Sequence, residues 1–155
     1  MLPKYHILTG FIFSLIVLFI WPSIGIFNAA IIFLASFLID VDHYFYYLFN
    51  FKDFSLKNAY EWFIKKREAF KKLTRKEMEK YNKNYKKPVI IFHGIEFLFL
   101  LIILTFYYKS FLFVVIGFFL HIFSDFTEIL FFNGIFYGKL SQIYVYYTNK
   151  GKKEL

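Results

Sequence analysis

Leu38-Ile39-Asp40-Val41-Asp42-His43-Tyr44 closes an apolar run that begins at Ser23, and it closes it with two carboxylates and an imidazole. The run is long enough to cross most of a bilayer, so these groups stand at or just inside a membrane surface. Ionisable side chains at that depth are rare, face a protein interior and mark functional sites.

Composition sets the class around this stretch. In 155 residues, 59% are hydrophobic and 26% aromatic, too apolar for a soluble domain of this size and suited to a small helical membrane protein. With no cysteine, disulfides, thiolate metal sites and cysteine nucleophiles are excluded. A net charge of +8 would suggest nucleic acid in a soluble protein, but 13 of the 19 Lys and Arg residues lie between Lys52 and Lys87. Beside membrane spans, such a segment reads as a cytoplasmic loop facing anionic headgroups, and no nucleic acid is expected. The apolar stretch from Ile7 to Trp21 lacks a small-residue cleavage site after it and is read as a retained helix.

The chain therefore predicts an all-α integral membrane protein, one domain over residues 1–155, with four transmembrane helices at about 3–21, 23–47, 88–108 and 110–132. Pro22 separates the first two, Pro88 stands at the first turn of the third, and Asn133-Gly134 closes the fourth. The two short turns hold one basic residue between them against 13 in the central loop, 50–87, which places that loop and both termini in the cytoplasm. The expected location is a cell (plasma) membrane, crossed several times. Within the loop, Leu56, Tyr60, Phe63, Phe70, Leu73 and Tyr81 recur near helical spacing among lysines, with Ser55 as N-cap, predicting a basic amphipathic helix on the membrane surface. A solvated helix that only sets topology is the plainer alternative. The tail, 133–155, has no clear pattern.

His6, Asp40, Asp42, His43, His93, Glu96, His121, Asp125 and Glu128 lie within or at the edges of the apolar segments, which contain no Lys or Arg at depth. Five carboxylates without a neighbouring cation need positive charge from elsewhere or must be protonated. On helices, Asp40 and His43, His93 and Glu96, His121 and Asp125, and Asp125 and Glu128 would each share a face. The predicted topology brings all four segments' polar groups towards one leaflet, with His93 about 7 Å and Asp125 about 10 Å from the cytoplasmic helix ends. Imidazoles and carboxylates without thiolates suit one or two divalent transition ions, Zn²⁺ or Mn²⁺ foremost, better than Ca²⁺ or Mg²⁺. Taken singly, His6 also suits a headgroup-level histidine, Glu128 an interfacial acid and Asp42 a helix cap. Taken together, the set also suits an ion pathway or a polar cluster that locks helices.

The order of these motifs resembles the YdjM-like family of membrane-bound, predicted metal-dependent hydrolases. His6 in Tyr5-His6-Ile7-Leu8 matches an early histidine, Asp40, Asp42 and His43 match Asp-x-Asp-His, His93 opens the third motif, and His121 with Asp125 match His-x-x-x-Asp. The third motif departs from the family's His-Arg-Gly-x-x-His: Phe92-His93-Gly94-Ile95-Glu96 lacks the Arg and the second His, a His-x-x-Glu variant in which Glu96 stands as ligand or base. The resemblance implies metal-dependent hydrolysis, with His6, Asp40, His43, His93, His121 and Asp125 as metal ligands and Glu96 or Asp42 as catalytic proton acceptor. Location within lipid reach suggests a lipid or other membrane-associated ester as substrate. A divalent-metal transporter or sensor, and a structural membrane protein, are the alternatives.

Overall fold

Pro3 to Ile20 holds only helix-compatible residues, and in the computed structural model, which describes residues 2–131 and 141–153, it forms helix α1 (Pro3–Ile20). Proline is tolerated at the first turn because its missing N–H would have no partner there. The chain reverses through a 3₁₀ turn at Pro22–Ile24 and at Gly25, whose φ of +74° suits glycine. Among the described residues seven further helices follow: α2 (Gly25–Leu38), α3 (Val41–Phe51), α4 (Leu56–Lys71), α5 (Arg75–Asn84), α6 (Ile95–Tyr107), α7 (Phe111–Phe131) and α8 (Gln142–Thr148). Regular secondary structure among the described residues is all helical.

Among the described residues, three helical stretches are long and apolar enough to cross a membrane: Pro3–Ile20, the 30-residue Pro22–Phe51, and Phe111–Glu128. The segment expected as a helix over 88–108 forms α-helix only from Ile95, and its 13 residues fall short of the length those stretches reach. Its first part is spent otherwise. The Ile90 N–H donates to Gln142 and the Phe92 N–H to Asp42, so the N–H groups that would start a helix at Pro88 serve side chains. The expected end of the fourth segment at Asn133-Gly134 lies outside the described residues.

The backbone divides into two compact units, Met1–Asp40 with Ile95–Glu128, and Val41–Gly94 with Ile129–Leu155. In the first, the buried residues of α1 are His6, Gly10 and Ser14, four apart, so one narrow stripe of small side chains faces α2. The opposite faces carry exposed Leu8, Phe11, Leu15 and Phe19, an apolar surface that suits lipid rather than water. Gly10 lies against the Ser36 side chain of α2, and Gly117 of α7 lies against the same helix from another side. His121 and Asp125 follow Gly117 at spacings of four, so the face that makes this close approach is the face that carries them.

A Cβ at Gly117 would sit 2.6 Å from the Ile32 carbonyl oxygen and 3.1 Å from the Ser36 nitrogen, both backbone atoms that cannot turn away. Gly117→Val should therefore force α2 and α7 apart at about 1–3 kcal/mol and lower the midpoint of thermal unfolding in detergent by several degrees. A midpoint equal to that of the native chain would mean that these helices are not held at this distance.

In the second unit, the expected single loop helix is two. Ser55 accepts a hydrogen bond from the Asn58 N–H and caps α4, as its position suggested. A second start at Thr74, with reciprocal bonds to Glu77, opens α5. Phe63, Phe70, Leu73 and Tyr81 of the apolar pattern are half-buried, whereas Leu56 and Tyr60 are exposed. Tyr46 and Tyr47 of α3 pack on Trp62, and Phe70 packs on Tyr81, so aromatic rings join α3, α4 and α5. The Lys66 ammonium lies 4.5 Å from the Trp62 ring centre, without a hydrogen-bond partner among the described residues, and burial lowers its pKa to about 8. The tail contributes α8, capped by Ser141, and Asn149 exchanges two hydrogen bonds with the Lys87 backbone.

Candidate metal centre

Two expected helices are interrupted in their backbone hydrogen bonding. The helix of the second apolar segment ends at Leu38, and the Asp40 N–H bonds Phe37, three residues back, before α3 starts at Val41. Asp40 and His43 consequently belong to different units, and so do His93, in a 3₁₀ turn, and Glu96, half-buried in the first turn of α6. The spacing argument assumed continuous helix at both places. His121 and Asp125, inside α7, do share a face.

In the first unit, α1, the end of α2 and α7 bring His6, Asp40, His121 and Asp125 together. Both imidazoles have no exposed surface, and Asp125 is 3% exposed. Nδ1 of His121 stands 2.8 Å from the Ser36 carbonyl oxygen, which can only accept, so Nδ1 carries the proton and the Nε2 lone pair points the other way. There it faces Asp40 Oδ1 at 3.6 Å. Nε2 of His6 lies 3.4 Å from Asp125 Oδ1 and 3.9 Å from Asp40 Oδ2, and neither His6 nitrogen has a hydrogen-bond partner among the described residues. The two imidazoles stack with centroids 4.0 Å apart.

These separations exceed hydrogen-bond length, and the 3.4 and 3.6 Å ones match something else. Donor atoms about 2.0–2.2 Å from a tetrahedral ion stand about 3.3–3.6 Å from one another. His6, Asp40 and His121 offer one atom each within 4.8 Å of one another, and such buried His/Asp groups could hold a metal ion. The donor set fits: two imidazoles with hydrophobic surroundings and two carboxylates, one imidazole oriented by a backbone carbonyl in the manner of metal-bound histidines. An orphaned, buried His6 is otherwise costly to leave unbonded.

No family model, curated protein or solved structure matches the chain.

The second unit holds Asp42, His43 and His93. Asp42 Oδ2 accepts from the Phe92 N–H at 2.8 Å and lies 3.1 Å from His93 Nδ1, so the carboxylate fixes that ring with its proton on Nδ1. His43 packs edge-on against His93, centroids 4.9 Å apart, and against Phe63 of α4 at 5.1 Å. Asp42 and His93 are buried, and Oδ1 of Asp42 has no hydrogen-bond partner among the described residues.

Sequence reasoning named these side chains but missed the backbone groups that aim them. The Ser36 carbonyl and the Phe92 N–H leave no trace in residue identity. Gly117 did leave one, since a glycine four residues before His121 on a helix marks a close approach.

Proposed function

We propose that the chain is a four-helix integral membrane protein that binds a divalent transition ion through His6, Asp40, His121 and Asp125 and hydrolyses a membrane-resident ester, a reading that keeps the YdjM-like resemblance. Orphaned His6, buried between two carboxylates and beside the lone pair of His121, is the observation that carries it. His43 and His93 remain proposed ligands, for a second ion. In this reading the basic loop and both termini face the cytoplasm, α6 completes the four spans, and anionic headgroups lie against the loop.

A divalent ion held there supplies Lewis acidity towards a scissile carbonyl or phosphoryl oxygen and makes a water nucleophile accessible at neutral pH. The chain's own residues do the rest. Ser36 orients His121 through its carbonyl oxygen, and Asp42, already engaged by Phe92 and His93, acts as a positioning carboxylate. Glu96 is then the proton acceptor. A transport path is disfavoured because the outer halves of the helices offer few polar groups, Ser14, Asn28, Ser36, Thr105 and Ser110.

The reading is tested by elemental analysis of protein purified in detergent, before and after reconstitution with Zn²⁺ or Mn²⁺. One or two equivalents of a transition metal are expected. Protein that takes up none after reconstitution would leave the polar cluster a helix-locking device.

A further inference from the structure

Within the second unit, α5, the strand-like segment after it and α8 enclose a cleft of about 260 Å³. Lys83, Lys87 and Lys152 line it together with Asn82 and Thr148. Its one lining carboxylate among the described residues, Glu79, pairs with Arg75 at 3.4 Å. Positive charge in the cleft is therefore in excess.

The cations are also held. Lys152 Nζ donates to the Asn82 carbonyl oxygen at 2.7 Å. The backbone of Lys87 is clamped on both sides by Asn149, at 2.9 and 2.8 Å, and the neighbouring Lys86 N–H bonds the Lys153 carbonyl. Burial, and then the charge of Lys152, push the Lys87 ammonium below the usual lysine range. The charge of Lys152 thus bears on the Lys87 ammonium, an electrostatic cost that a bound anion would remove.

Lysine offers only donors, and the side-chain amide of Asn82 can add more. The volume lies below the about 300–1,000 Å³ of sites for drug-sized molecules, so the occupant is small. We propose that this cleft binds a phosphate dianion, as inorganic phosphate or as the phosphomonoester headgroup of a lipid. The site is separate from the proposed metal ligands and does not depend on them.

Equilibrium dialysis of the full chain in a neutral detergent against ³²P-labelled inorganic phosphate tests it. Saturable binding near one equivalent is expected, weakened about tenfold by Lys87→Gln or Lys152→Gln, each of which removes a charge-assisted bond. Lys152→Arg, which keeps the charge, should retain binding, and so should Lys150→Gln, which alters an exposed lysine over the Tyr147 ring. Binding should also survive in the His121→Gln, Asp125→Asn double variant, which separates this site from the metal ligands. Repeating the measurement in phosphatidylcholine nanodiscs with phosphatidate added distinguishes the sources: phosphatidate that displaces the label points to a lipid headgroup, and an unchanged isotherm points to soluble phosphate. Absence of saturable binding, or equal loss in Lys87→Gln, Lys152→Gln and Lys150→Gln, would overturn the proposal.

Discussion

Replacing His121 and Asp125 together by alanine is expected to remove the bound metal, from about one equivalent to below a tenth. His121 supplies an Nε2 lone pair already aimed by the Ser36 carbonyl, and Asp125 supplies an oxygen 3.4 Å from His6 Nε2. Removing even an orienting partner of a metal ligand costs about 10- to 100-fold in affinity, so losing two ligands outright should exceed that. Alanine also leaves a cavity in a buried site, which could unfold the unit for reasons unrelated to metal. His121→Gln with Asp125→Asn controls for this by keeping volume while weakening both donors. Metal analysis beside far-UV circular dichroism reads the two effects separately. Full metal content in the Gln/Asn variant, with native helicity, would show that the ion sits elsewhere.

Glu96→Gln should do the reverse. The amide keeps the size of the side chain in the first turn of α6 and much of its hydrogen bonding, but it no longer accepts a proton. Metal content should stay native while turnover of a suitable ester falls by roughly 10² to 10⁴. Asp42→Asn makes a different contrast, because Asp42 accepts from Phe92 and holds His93. There, affinity for the second ion and turnover should fall together by roughly 10- to 100-fold, the signature of a positioning residue. If Glu96→Gln loses metal, Glu96 is a ligand and the proton acceptor must be sought again. If no acyl or phospholipid ester is turned over by native, metal-loaded protein, a transporter or sensor becomes the better reading.

Much of this was legible in the residues. An apolar chain without cysteine, with all four histidines and five carboxylates within or at the edges of its apolar segments, already points to helices suited to a membrane and to a His/Asp cluster, because hydrophobic burial and the cost of unpaired charge act on composition directly. Helix periodicity also placed His121 and Asp125 on one face, since nothing interrupts α7 there. Periodicity failed where backbone hydrogen bonds leave the helical ladder. At Asp40, and again from Ile90 to His93, backbone bonding departs from a continuous α-helix: Asp40 reaches back three residues, while Ile90 and Phe92 donate to the Gln142 and Asp42 side chains. Only the tertiary structure decided that the Asp-x-Asp-His motif is divided, with Asp40 among His6, His121 and Asp125 in one unit and Asp42 bound to His93 in the other. The reason is physical: which backbone groups pair with distant side chains depends on packing between elements far apart in sequence, and such pairings leave no period for a local reading to find.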